Sequence, residues 1–184
     1  MKNPILQKEH KILRAHAHPI PVKDIKSPHV QKIITAMKDA MHPVEDAVAI
    51  AAPQIGESLR IFVVSGIVFK KLKLKESEDE ADTPTLPDPP DLVCINPEIL
   101  KRSKDKKEME EGCLSVRWLY GYVKRSQKVT LRAYDEGGKR FTRGASGLLA
   151  QIFQHETDHL DGVLFIDKAR DVREMRPEKM SAAK

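Results

Sequence analysis

The sequence predicts an α+β domain: antiparallel sheets packed around a central helix that carries a His-Glu-x-x-His metal-binding motif. Two observations carry this. Stretches of β-branched or alternating residues dominate the middle of the chain, as in LRIFVVSGIVF (59–69), VCINPEIL (93–100) and VKRSQKVTLRAYDEGGKRFT (123–142). Helical apolar spacing comes early and again late, and the late run, SGLLAQIFQHETDHL (146–160), ends in His155 and His159 with Glu156 between them. Histidines at i and i+4 face the same side of a helix and can grip one ion. Strands first and a metal helix late favour a helix packed on a mainly antiparallel sheet.

In order along the chain, SPHVQKIITAMKDAMH (27–42) places Val30, Ile33, Ile34, Met37 and Met41 at helical spacing behind Ser27 as N-cap. AVAIAAPQIG (47–56) is a run of small residues ended by Pro53 and Gly56, and the segment 59–69 reads as a strand. Residues 70–91 change character, from KKLKLK to ESEDEAD to TPTLPDPPD, and read as a charged, proline-rich insertion or surface loop. Pro97 demotes the strand at 93–100 to an edge or an end. Gly137-Gly138 marks the turn of a β-hairpin arm. Ser146 is a possible cap for the last helix, Gly162 ends it, and residues 168–184 form a charged tail.

At 184 residues the chain reads as a single catalytic domain, 1–184. A net charge of +5, from 32 basic and 27 acidic residues, is too small to argue for nucleic acid, so no DNA partner is expected. Two cysteines make no disulfide framework, and a thiolate ligand survives best in a reducing interior. With no signal-like N-terminus and no run able to span a bilayer, a cytoplasmic location without membrane association is expected.

A metal that does chemistry needs a third protein ligand and one open position. In one large group of zinc endopeptidases that ligand is a histidine six residues past the second, but position 165 is Phe. A downstream glutamate could only be Glu174 or Glu178, in a charged tail with no convincing helix, which is a weak option. Upstream, Cys113 lies in EGCLS beside a glycine and among polar residues, and is a candidate thiolate. Cys94 reads as a small buried hydrophobe.

DAVAIAAPQIG, EGCLS and QHETDHLDG, in this order, resemble the three signature motifs of the peptide deformylase family. ILQKEHKILRAHAHPI near the start, INPEI (95–99) and GVLFID (162–167) fit as well, so the resemblance covers nearly the whole chain. It implies a deformylase-like fold with Cys113, His155 and His159 as metal ligands. The reaction it implies is hydrolysis of the N-formyl group from the initiator methionine of nascent polypeptides, releasing formate. The ion would be Fe(2+), with Zn(2+), Ni(2+) or Co(2+) as substitutes. Glu156 would move the proton, and Gln54 with the Leu114 N–H would donate to the developing oxyanion. Ala49, Ile50, Leu148 and Ile152 are candidates for the methionine pocket. Glu111 and Arg125 are candidates to brace the cysteine loop, and Asp158 to orient a histidine.

The chain departs from the family pattern where Ala47 and Ala49 stand in place of the usual glycines. It also has Arg117-Trp118-Leu119-Tyr120-Gly121 where proline and glycine often follow the cysteine motif. Ala47 and Ala49 keep open a catalytically impaired relative that binds peptide N-termini; a metal-dependent endopeptidase is the other alternative, against which the missing downstream ligand argues. The basic run at 70–75 and the tail also suggest weak ribosome association.

Overall fold

The computed structural model describes residues 5–76 and 89–176. Helix α1 (Pro28–Met41) is followed by β1 (Ala49–Ala51), β2 (Ile61–Val64) and α2 (Gly66–Glu76). Strands β3 (Leu92–Arg102), β4 (Lys106–Gly112), β5 (Leu119–Ser126), β6 (Lys128–Tyr134) and β7 (Arg140–Ser146) lead to α3 (Gly147–Leu160) and β8 (Arg170–Glu174). One sheet has the order β1-β2-β3-β6-β7 and the other β4-β5-β8. All these pairings are antiparallel. Helix α3 touches β1, β2, β3, β6 and β7 of the first sheet and β5 of the second. The α+β expectation holds.

Local chemistry explains the elements that the sequence foretells. The Ser27 hydroxyl accepts from the Val30 N–H at 3.4 Å, Pro28 occupies the first turn, and the five apolar positions of α1 are buried. The hairpin turns at Asp135, whose N–H donates to the Lys139 carbonyl while Gly138 adopts φ +79°. Helix α3 stops at Gly162, where φ is +73°. There the Gly162 N–H donates to the His159 carbonyl and the Val163 N–H to that of Asp158, at 3.2 and 2.9 Å. A Cβ on Gly162 would stand 2.7 Å from the Arg14 carbonyl oxygen, so the helix end is pressed against the N-terminal segment.

Four expectations need correction. The strand expected at 59–69 ends at Val64, and residues 66–76 form α2, so the supposed loop begins as a helix. Val68 is buried, and Phe69 and Leu72 pack beside it against the core, a helical spacing that the alternation of KKLKLK conceals. Residues 77–88 of the proposed insertion lie outside the described residues. Strand β3 is central rather than an edge, because the register shifts between Ile95 and Glu98 and Pro97 falls in that break. Asn96 stabilises the irregularity, its amide exchanging hydrogen bonds of 2.8 and 2.7 Å with the Ile20 backbone. The Ser146 side chain makes no capping hydrogen bond to α3. The charged tail supplies β8, which pairs with β5, while residues 177–184 lie outside the described residues.

Gly162→Ala is expected to lower stability by about 2 kcal/mol, since it combines left-handed backbone with a backbone clash. The urea midpoint of the variant measures this.

Candidate metal centre

Helix α3 is anchored by a buried amide. Gln154 donates to the Ser126 carbonyl at 2.9 Å and accepts from the Ser126 N–H at 3.0 Å, as a strand neighbour would. This fixes the helix against the end of β5, with His155 meeting Glu111 of β4 and His159 meeting Cys113 just beyond that strand. Opposite them, β4 ends at Gly112, where a Cβ would meet the Tyr120 ring at 2.6 Å. Only glycine lets that ring lie against the chain entering Cys113.

Cys113, His155 and His159 each offer a ligand atom, and these atoms all lie within 4.8 Å of one another. The Cys113 Sγ is 3.2 Å from the His159 Nε2. Tetrahedral bonds of about 2.3 Å to sulfur and about 2.0–2.1 Å to nitrogen would set such atoms about 3.5 Å apart. The donor set therefore fits a single divalent ion. Burial holds His159 well below the usual imidazole range, as a neutral donor. Burial would lower His155 too, but its hydrogen bonds to Cys113 and Glu111 outweigh that and raise it well above its ordinary value.

His155 is oriented from behind. Its Nδ1 is 2.9 Å from a Glu111 carboxylate oxygen, leaving Nε2 as the ligating atom. Arg125 grips Glu111 with two hydrogen bonds, from Nε at 2.7 Å and from Nη2 at 2.8 Å, and a third reaches Asp158 at 2.6 Å. Burial would raise the Glu111 carboxyl, but Arg125 and His155 outweigh it and bring it down to about 2. The Asp158 carboxylate makes no hydrogen bond to a histidine. It pairs with Arg125 and, at 2.8 Å, with Lys168, so it steadies His155 through two intermediaries.

Glu156 lies beside the ligands, 4% exposed, and burial pushes its carboxyl up to about 7 against the attraction of His155. Its Oε2 has no protein partner. Gln54 arrives from the turn after β1. Its Oε1 accepts from the Ala51 N–H at 2.8 Å, which turns Nε2 to the cysteine loop, 3.1 Å from the Ser115 hydroxyl and 3.6 Å from Cys113 Sγ.

A cleft opens over this group, lined by Ala49, Gln54, Leu114, Leu148, Ile152 and Glu156 among others. Ile50 is a correction: it is fully buried in the core with α1, because neighbours along a strand face opposite ways. Sequence reasoning missed Ser115, Gln154 and the pairing of Arg117 with Asp46. Ser115 lies within the EGCLS motif, while the other contacts join segments far apart in the chain.

A cysteine sulfur and two imidazoles about one point, with a buried carboxyl group beside them and a cleft in front, are the arrangement of a metal-dependent hydrolase. The model of the polypeptide deformylase family matches residues 2–175, and the chain belongs to that family. It is 39% identical over 162 residues to the peptide deformylase of Syntrophomonas wolfei, covering 88% of this chain and 90% of the relative. The Met-Ala-Ser-bound crystal structure of a class I type b peptide deformylase from Acinetobacter baumannii is similar with a TM-score of 0.75 at 31% identity, covering 91% of this chain and 98% of that one. A peptide deformylase structure from Legionella pneumophila is similar with a TM-score of 0.74 at 36% identity, covering 99% of this chain and 91% of that one.

Arg125→Met leaves Glu111 buried without its partner and is expected to cost about 3–5 kcal/mol in urea unfolding. The depressed Glu111 carboxyl contributes stability that is complete above its ordinary value of 4.5 and is lost as pH falls toward about 2. Urea midpoints measured across that range are expected to fall less steeply in Glu111→Gln.

Proposed function

We infer that the chain removes the N-formyl group from formyl-methionyl peptides and releases formate. The observation that carries this is the convergence of Cys113, His155 and His159 on one point beside the buried Glu156. The three ligands would hold one divalent ion, Fe(2+) first, with Zn(2+), Ni(2+) or Co(2+) as substitutes, because a thiolate with two imidazoles suits this borderline group. When bound, the ion supplies Lewis acidity that makes water a nucleophile near neutral pH.

The remaining work falls to the protein. Glu156 takes the proton from the attacking water on its unpartnered carboxylate and passes it to the leaving nitrogen. The Gln54 Nε2 and the Leu114 N–H stabilise the charge that gathers on the formyl oxygen. Glu111 keeps His155 in the tautomer that ligates. Strand β1 is the edge of its sheet, and its open side bounds the cleft at Ala47–Ala49, so the peptide would lie along it as an added strand. Leu148, 39% exposed, and Ile152 would face the methionine side chain.

The alternatives find less support. Ala47 and Ala49 are 8% and 6% exposed, so their methyl groups add little to the cleft surface that would impair turnover. The position where an endopeptidase would carry its third histidine is Phe165, buried and stacked on His155 with ring centroids 6.3 Å apart. No helix among the described residues is long and apolar enough to cross a membrane. A cytoplasmic location suits the thiolate ligand and the substrate. Weak ribosome association through the basic run at 70–75 would be recognised by its weakening with salt.

The test is formate release from formyl-Met-Ala-Ser by protein purified without oxygen, with metal measured on the same sample. Glu156→Ala is expected to retain the metal and lose turnover. Gln54→Ala is expected to lower kcat by about 10²–10³. Stoichiometric metal without formate would instead favour the peptide-binding relative.

A further inference from the structure

The cysteine motif is a tight turn, and residues near the start of the chain hold it from outside. The Val116 N–H donates to the Cys113 carbonyl at 3.0 Å, so Leu114 and Ser115 are the central residues of a β-turn. The peptide group between them belongs to no helix or strand. Its N–H, that of Ser115, donates to Cys113 Sγ at 3.4 Å. Its carbonyl, that of Leu114, points the other way, as in any trans peptide, and accepts from the Gln7 Nε2 at 3.1 Å.

Gln7 lies at the surface, 107 residues earlier than Leu114, yet both ends of its amide are engaged. The Nε2 also donates to the Ile5 carbonyl at 3.2 Å, and the Oε1 accepts from the Arg117 N–H at 3.4 Å. Neighbouring residues tie the same segment down. The Leu6 N–H donates to the Gln54 carbonyl at 2.8 Å. Ile5 packs against the apolar cluster that includes Leu114, and Leu6 against the one that Cys113 borders. Residues 5–7 therefore reach both backbone segments from which the proposed oxyanion donors come.

The orientation of its central peptide is what separates one β-turn type from another, and no ladder of backbone bonds fixes it here. As it stands, the plane turns its donor end to the sulfur. Rocking would withdraw that donor and bring the Leu114 carbonyl oxygen, a negative end, toward the sulfur. The Gln54 Nε2, one of the groups expected to receive the oxyanion, is only 3.6 Å from that sulfur. We propose that Gln7 is a positioning residue for the reaction, holding the Leu114–Ser115 peptide so that the Ser115 N–H stays on Cys113 and the Leu114 backbone stays set for the oxyanion. Gln7 does not line the cleft, so it acts through the turn alone. Its effect on turnover rests on the deformylase reading, whereas its hold on the turn does not. Loss of one hydrogen bond of ordinary strength changes a population about two- to tenfold.

The experiment compares the metal-loaded protein with its Gln7→Ala and Gln7→Glu variants. Amide hydrogen exchange at Ser115 is expected to rise about two- to tenfold in Gln7→Ala, with exchange at Gly138 in the distant hairpin turn unchanged. In formate release from formyl-Met-Ala-Ser, kcat is expected to fall by about the same factor, with KM and metal content unaltered. Gln7→Glu has nearly the same shape and keeps an acceptor for the Arg117 N–H, but it turns a carboxylate oxygen to the Leu114 carbonyl. It is expected to lose at least as much as Gln7→Ala. Wild-type exchange and kcat in Gln7→Glu would mean that the side chain only fills space, and would overturn the proposal. Unchanged Ser115 exchange or unchanged kcat in Gln7→Ala, or a loss carried by KM alone, would overturn it as well. Absence of formate from the wild-type protein would overturn the deformylase reading and leave the exchange measurement to judge the hold of Gln7 on the turn.

Discussion

The buried contact between Arg125 and Glu111 is the constraint on which the site depends. Both side chains are almost wholly shielded from water, at 4% and 2% exposed, so each charge would be costly without the other. Glu111 is on β4 and Arg125 on β5, and their partners His155 and Asp158 are on α3. One guanidinium thus ties two strands of the smaller sheet to the helix that carries both histidines. A pair of apolar residues could join these elements with as much stability, but it could not dictate which way the His155 ring faces. Orientation is what the ion pair provides.

From that joint the remaining geometry follows. Gln154 fixes α3 to the end of β5, and the left-handed Gly162 stops the helix directly after the ligands. On the other side, Gly112 admits the Tyr120 ring and so sets the path of the chain into Cys113. Gln54 reaches the site from the edge of the larger sheet, with its amide already turned by the Ala51 N–H. The proposed ligands, base and oxyanion donor therefore come from the turn after β1, the β4–β5 connection and α3, and buried hydrogen bonds hold Gln54 and His155 in place. Such support keeps the reacting groups in place before substrate arrives. The mouth of the cleft is held more lightly, by the partly exposed pairs Asp46–Arg117 and Glu110–Arg173, which are cheap to rearrange.

Much of this was legible in the sequence because it is local. The spacing of His155, Glu156 and His159 needs only one helix, and the caps at Ser27 and Gly162 need only neighbouring residues. The glycine and polar neighbours of Cys113 mark it as a candidate thiolate, but only the family resemblance joins it and Gln54 to that helix. What escaped depends on tertiary context. KKLKLK alternates like a strand, yet Val68 and Leu72 meet the core once the segment coils as α2. Pro97 looked incompatible with a central strand because the bulge that absorbs its missing N–H is invisible without β6. Ile50 escapes because the sequence does not say which side of β1 faces the cleft, and Asp158 because its partner Arg125 lies 33 residues away.

The most direct test of the account is the absorption spectrum of the protein loaded with cobalt(II). Binding of one ion per chain should give a near-ultraviolet thiolate-to-metal charge-transfer band together with intense visible bands of tetrahedral coordination. Cys113→Ser should abolish the charge-transfer band, and His159→Ala should weaken metal binding. A spectrum without the thiolate band, or one that persists in Cys113→Ser, would contradict the proposed ligand set.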